Sequence, residues 1–482
     1  MKKSKMKKKD DKKFLNYAHA GASRTKNAFR GIHDFLSTAD EDIGENKELL
    51  MARSRRLAQG SMIGLSAIKR IRTNVIGKGL KLKSTINNEF IKLPQEKKEE
   101  LEKQIELLWD FWANSTACDF DRFSNFNQLQ SLAMLNMLVD GEAFVLMPLK
   151  QRKGDIFHLK VQILDSARCQ NPNNENGKDI KNGVELDEEK VPTAYHFKKN
   201  DIDSETIRIE AFGKVTGRKN ILVVMEKERV GQRRGVPLLA PVIEALHQIS
   251  KFTEAELMNA ALSALFSVFI EQDKGTEKAY GKNPLKGSEY ERDDNLKLGN
   301  GIIMDLAPGQ KITFADPQRP NSKFDLFVSA IATHVGAALE IPYEVLLSSF
   351  NSSYSASRAA LLEVWKMYHM RREWFVNDFC QPIYEEFLDE IVSKKLVELP
   401  GYYENPIIRK CYQKSEWHGQ TQGQLNPIQE VKAAIMKIES GLSTLARETR
   451  EINGSDFNTN HEQTKIEQSK REELIKKDEG GV

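Results

Sequence analysis

The chain has 482 residues, 40% of them hydrophobic and 29% charged, the balance of a soluble protein with a sizeable core and about two to four domains. Lysine and arginine total 72 against 69 aspartate and glutamate, a formal net charge of +3, too near neutral to grip nucleic acid by bulk charge. The four cysteines (Cys118, Cys169, Cys380, Cys411) stand far apart without a Cys/His cluster, which argues for reduced thiols and against a disulfide frame or a zinc site.

The first 48 residues open with MKKSKMKKKDDKK, and no apolar stretch follows, so this is not a signal peptide. They predict a basic, disordered arm, with contact to nucleic acid or an acidic partner as the sharper alternative. A helix is expected from Ser54 to about Ile76, where Leu57, Met62, Leu65, Ile68 and Ile71 recur near helical spacing. Gly77 and Gly79 stop it. Helices over about Pro94–Trp112 and Asn127–Val139 follow. The run EAFVLMPL, entered by the turn pair Asp140-Gly141, predicts a strand. Short strands around Phe157–Leu164, Thr193–Phe197 and Ile221–Met225 complete an α+β first half.

From Val236 the pattern changes to a long helix reaching Ile270. Leu239, Val242, Leu246, Ile249, Leu257, Ala261, Leu265 and Val268 form one broad apolar stripe. Its most apolar part, Ala260 to Ile270, is too short to span a bilayer, and no membrane contact is expected. Glu271 to Asn300 mixes charges of both signs with Gly and Pro, an exposed excursion with little core of its own. GIIMDLAPGQKITFADP reads as two strands around Pro308-Gly309, and a helix from Ser322 to about Leu339 returns the chain. Two long helices bracketing an exposed insertion suggest a protruding stalk with a tip.

The segment SSFNSSYSASRAALLEVW, Ser348 to Trp365, places small polar residues directly before a helix that continues to about Leu396, kinked at Pro382. Read alone it is a polar surface loop with a helix cap at Ser355 or Ser357. Helices at Ile428–Glu439 and Leu442–Ile452 precede a charged tail over 457–482, expected to be frayed.

Catalytic constellations are missing. Ser66-Ala-Ile-Lys69 matches Ser-x-x-Lys but lacks its partner motifs and reads as an ordinary helical turn. There is no Gly-x-Ser-x-Gly, His-Glu-x-x-His or Walker phosphate loop. Asp293-Asp294 could hold a divalent ion, and a Mg²⁺-dependent nuclease is the enzymatic alternative it supports; a solvated turn is the plainer reading. No cofactor or metal is expected.

Several ordered blocks resemble the lambda-type tailed-phage portal proteins. They are RSRRLAQGSMIGLSAIKRIRTNVIGKGLKL, ACDFDRFSNFNQLQSLAMLNMLVDGEAFV, ERVGQRRGVPLLAPVIEALHQISKFTEAELMNAALSAL, LAPGQKITFADPQRPNSKFDLFVSAIATHVGAALEIPYEVL and FNSSYSASRAALLEVW. They span about Met51 to Asp456, and we expect the product of a working phage or prophage gene. Beyond Trp417 the chain reads HGQTQGQLNP, where the family has an aromatic-rich run.

The resemblance implies the portal fold and its parts: a wing over 49–235, stem helices over 236–270 and 322–340, and a clip over 271–321. A tunnel loop would cover 341–355, a long helix and wing return 356–410, and a crown 411–456. It implies a ring, usually of twelve subunits, at one capsid vertex, through which double-stranded DNA is packaged and ejected, and which nucleates the procapsid. The implied partners are the terminase large subunit, the major capsid and scaffolding proteins and head-completion or adaptor proteins. The location is the virion, after assembly in the host cytoplasm. A minor capsid or adaptor protein is the alternative. On this reading Ser349, Asn351, Ser352, Ser353, Tyr354 and Arg358 face DNA. Arg233, Arg234, Leu246, Ile249, Leu257 and Leu265 make subunit contacts. Lys282, Lys286, Glu291, Arg292, Asp293 and Asp294 dock the motor.

Overall fold

The computed structural model describes residues 27–29, 31, 36–172, 179–199, 205–264, 268–272, 310–314, 324–350, 353–423 and 426–479. Its centre is built by amphipathic helices whose buried residues recur every three or four positions. Gln95–Ala113 turns Leu101, Ile105, Trp109 and Trp112 inward. Phe126–Asp140, opened by a reciprocal cap between Asn125 and Gln128, adds Leu129, Ala133 and Met134. Met62–Val75 adds Ile63, Ala67, Ile68 and Ile71, and the pair Tyr354–Phe375 and Gln381–Ser393 adds Tyr368, Phe375, Tyr384 and Phe387. The Trp109 ring sits among them, 5.0 Å from Phe126, 5.2 Å from Phe387 and 5.5 Å from Trp417, each edge-on. Such pairs add about 0.5–1.5 kcal/mol each beyond the area they bury. Trp417 reaches this site because Ser415–His418 pairs antiparallel with Lys81–Ser84.

A sheet divides this core from a smaller one. Glu142–Leu146 lies between Gln162–Leu164 and Ile221–Met225, antiparallel to both. Side chains on a strand alternate in direction. Ala143 and Val145 therefore join the helical core, while Phe144 faces Tyr195 and Phe197 in the second. That second core is roofed by a meander of four short strands, Ile180–Lys181, Val184–Leu186, Pro192–Lys198 and Thr206–Glu210. The architecture is mixed helix and strand, as the α+β pattern predicted.

Several elements differ from expectation. The helix expected from Ser54 to Ile76 is two, Lys47–Gly60 and Met62–Val75, because Ser61 leaves helical geometry and its Oγ caps the second at Gly64 N. Part of the arm expected to be disordered is folded. Thr38 and Glu41 form a reciprocal cap on Ala39–Gly44, and Lys47 is buried. The long helix begins only at Ile243, since Pro237 and Pro241 lack the N–H of a helix interior, and it ends at Ala264 instead of Ile270. Val268–Gln272, rich in β-branched and aromatic residues, is a strand paired with Gln310–Phe314. The strand expected before Pro308 lies outside the described residues. The return helix is Phe324–Ala338. The kink at Pro382 is a π-helical turn, Val376–Cys380, just ahead of it. Proline has no N–H for the preceding turn and its ring crowds the carbonyl four residues back, which a wider turn accommodates. The tail expected to be frayed is a helix, Phe457–Glu479, opened by Asp456 Oδ1 accepting from Thr459 N.

Candidate pore loop and assembly surfaces

Where the sheet meets the long helix, the chain buries a charged network. Glu142 is fully buried, with Arg234 Nη2 at 2.7 Å and Lys47 Nζ at 3.1 Å. Gly235 N donates to Glu142 Oε2 at 2.8 Å, and Lys47 Nζ donates to the carbonyls of Asp140 and Gly235, each at 2.7 Å. Burial pushes the Glu142 carboxyl up, but the Arg234 and Lys47 charges overcome it and hold it below the ordinary carboxylate range. The backbones touch here: a Cβ on Gly235 would stand 1.9 Å from the carbonyl oxygen of Gly141, so only glycine fits.

This bears on two residues expected at a subunit interface. Arg234 also donates to the carbonyls of Cys169 and Ser166, so its guanidinium is committed inside its own chain. Arg233 bonds the Asp40 carboxylate and donates to the Lys190 carbonyl at 2.7 Å. Both residues pin the folded end of the N-terminal arm and the strand layer to the junction. Arg234 is buried with its guanidinium committed, which corrects the expectation for that residue, while half-buried Arg233 is engaged within its own chain. The sequence shows two arginines beside a glycine, while their carboxylate partners lie 92 and 193 residues away.

The helices Ile243–Ala264 and Phe324–Ala338 pair through Phe252, whose ring lies 5.6 Å from Phe324 and 4.7 Å from Phe327. At the root of this pair Leu246 and Ile249 are buried in the body with Ala332 and Val335. They are core residues, not the interface residues expected. Further out the same pattern lies open: Leu257, Met258 and Leu326 are 67%, 63% and 70% exposed. Leu265 lies outside the described residues, as do the six expected docking residues from Lys282 to Asp294.

The serine segment follows Gly336, where a Cβ would stand 2.4 Å from the Ile341 carbonyl oxygen as the chain turns back. The short helix Tyr343–Leu347 ends at Ser348, in the left-handed region at φ 56°. Phe350 is half-exposed, and Asn351 and Ser352 lie outside the described residues. The cap of the following helix is Ser353, two residues before the earlier of the expected positions. Its Oγ accepts from Ala356 N at 3.4 Å. Tyr354 and Arg358 are therefore on the first turns of that helix, both exposed. Ser349 is half-buried at the loop's first root. Two residues not anticipated meet that root: Ser66 Oγ donates to the Leu346 carbonyl at 2.8 Å, and Arg70 donates to Ser348 Oγ. Their spacing of one helical turn beside the apolar stripe was the available signal.

Among the described residues no cluster of three or more His, Cys, Asp or Glu could hold a metal, and no helix is long and apolar enough to cross a membrane.

Comparison with known proteins sets the chain among phage portal proteins, a structural and non-enzymatic class. More narrowly, the chain belongs to the lambda family: the sequence model described as "Phage portal protein, lambda family" matches residues 25–372. Portal protein B of Escherichia phage lambda is 22% identical over 466 residues, 91% of this chain and 87% of that protein. The portal protein of Escherichia phage N15 is 21% identical over the same shares. A solved structure, the neck of a native gene transfer agent particle computed with C12 symmetry, aligns with TM-score 0.45 at 13% identity. It covers 85% of this chain and 98% of that one.

Proposed function

We propose that copies of this chain close into a ring at one capsid vertex and that double-stranded DNA passes through its channel during packaging and ejection. The observation that carries the reading is the outer half of the helix pair, where Leu257, Met258, Leu326 and Phe327 lie open on elements rooted in a well-packed body. Apolar faces of this kind are covered by another copy when head-to-tail contacts close. Twelve copies is the number the family resemblance implies.

The serine segment then lines the channel as the tunnel loop. Duplex DNA carries one charge per about 1.7 Å of axis, so a ring of lysines there would bind it tightly. Serine and asparagine hydroxyls and amides make weak, exchangeable contacts, which confine a duplex without arresting it. Arg358, exposed one turn into the helix, is the cation placed to brush phosphates. The mixed-charge excursion over 271–321 is the clip, which docks the terminase large subunit and later the head-completion proteins through Lys282, Lys286, Glu291, Arg292, Asp293 and Asp294. The wing and crown face the major capsid and scaffolding proteins.

Electron microscopy of the purified protein tests this. Rings with an axial hole are expected; a monomer at every concentration would overturn the proposal. Deleting Asn351–Ser353 should leave rings intact and impair packaging or genome retention. Packaging at the parental level would remove the loop from this role.

A further inference from the structure

The serine segment hangs between two roots of different character. The first follows Tyr343–Leu347, where Leu346 is fully buried and Ser348 takes left-handed geometry. The second is Ser353, which opens a helix whose Tyr354, Arg358 and Leu362 are exposed and whose first buried residue is Val364.

Onto the first root the helix Met62–Val75 sends two polar side chains one turn apart. Ser66 Oγ donates to the Leu346 carbonyl at 2.8 Å and accepts from Arg70 Nε at 3.2 Å. Arg70 Nη2 donates to Ser348 Oγ. The Ser66 hydroxyl thus gives its one proton and receives another. The planar guanidinium of Arg70 reaches Ser66 through Nε and the loop through Nη2, two nitrogens held in one rigid fork. The relay joins segments 280 residues apart in sequence. It is not what holds the helix itself in place, since Ala67, Ile68, Ile71 and Val75 are buried on the same helix.

We propose that Ser66 and Arg70 are positioning residues that pin the entry of the serine segment to the body, so that the segment yields only from its Ser353 side. This rests on the reading that the segment meets DNA. A lining of weak contacts confines a duplex only if each copy holds it at a set radius. A loop free at both roots would splay and lose that radius, whereas one free at a single root can still bend as a duplex passes. Neither side chain is required to touch DNA.

The test uses the full chain assembled as rings and, separately, phage particles built with it. In the Ser66→Ala, Arg70→Ala double variant, the Ser348 and Ser349 amides should exchange with solvent about tenfold faster, as expected when two hydrogen bonds that steady the turn are lost. In the parent these amides donate to Val345 at 3.4 Å and Glu344 at 3.0 Å. Exchange in the Gln95–Ala113 and Phe126–Asp140 helices should be unchanged. Particles carrying the variant should retain full-length genome about tenfold less often. Arg70→Lys, which keeps the charge but not the fork, should recover part of both effects. Ser348→Ala removes the loop's own acceptor at an exposed site and should reproduce the Arg70 loss should the double variant not fold. Parental exchange rates in these variants would overturn the pin. Faster exchange with parental genome retention would overturn the positioning role. The Asn351–Ser353 deletion separately decides whether the segment meets DNA at all.

Discussion

The root and the outer half of the helix pair carry the same apolar pattern and meet opposite fates. At the root, Leu239, Val242, Leu246 and Ile249 are buried, with Gly64 of the Met62–Val75 helix beneath Leu246 and Leu239. Farther out, Leu257 and Met258 continue the sequence pattern but lie mostly in solvent. An amphipathic stripe states that a face is to be covered and is silent about which molecule covers it. In this chain the first half is covered by its own body, and the second half stays open, the face that the proposed ring would cover with another copy.

The largest expected effect lies at the root. Glu142→Gln breaks a buried charged network, and removing one partner of such a network costs about 3–5 kcal/mol. Chemical denaturation of the isolated chain measures it. The pH dependence has a definite sign. The folded Glu142 carboxyl is held below its unfolded value by Arg234 and Lys47, against the push of burial. Its stabilisation is therefore present above about pH 4.3, the unfolded carboxyl value, and is lost as pH falls through the lowered one. The variant should show a flatter acid limb. Parental stability in Glu142→Gln would mean that the network is idle and that the root is held by packing alone.

Next in size comes the pair that sets root against outer half. Leu246→Ala empties a filled site and should destabilise the chain by about 2–5 kcal/mol. Leu257→Ala and Leu326→Ala remove exposed atoms and should stay within about 0.5 kcal/mol of the parent in the dissociated chain. Ring assembly, followed by sedimentation, should reverse the order for the fraction that folds, with the outer variants associating more weakly. Equal destabilisation of the dissociated chain by all three would show that the outer face is covered within one chain.

Local pattern was legible in the sequence, and long-range pairing was not. The run EAFVLMPL announced a strand, and the structure places a core on each side of Glu142–Leu146. The helix expected over about Pro94–Trp112 was equally plain, and it runs from Gln95 to Ala113. Arg234 misled because a basic pair beside a glycine reads as surface, while Glu142 and Lys47 complete its site from far along the chain. The sequence around Ser66 is silent on its tertiary role for the same reason, since its acceptor, the Leu346 carbonyl, lies 280 residues away. Ala260–Ile270 failed differently. Its apolar residues suit helix and strand alike, and pairing with Gln310–Phe314 decided for strand from Val268 onward.

The smallest effect isolates the serine segment from both halves of the stalk. Ser353 caps Tyr354–Phe375 through its Oγ, and Ser353→Ala removes a cap worth about 1 kcal/mol. Whether that loss reaches the whole fold depends on what the capped turns support. Tyr354 and Arg358 are exposed, and the helix joins the core from half-buried Leu361 onward, through Val364, Trp365, Tyr368 and Phe375. Fraying from the cap should therefore stop about two turns in. Amide exchange should quicken over 354–360 and stay parental from Leu361 onward, with the global melting temperature unchanged. If instead exchange quickens through Phe375, the first turns are coupled to the core, and the segment has no free root on which to bend.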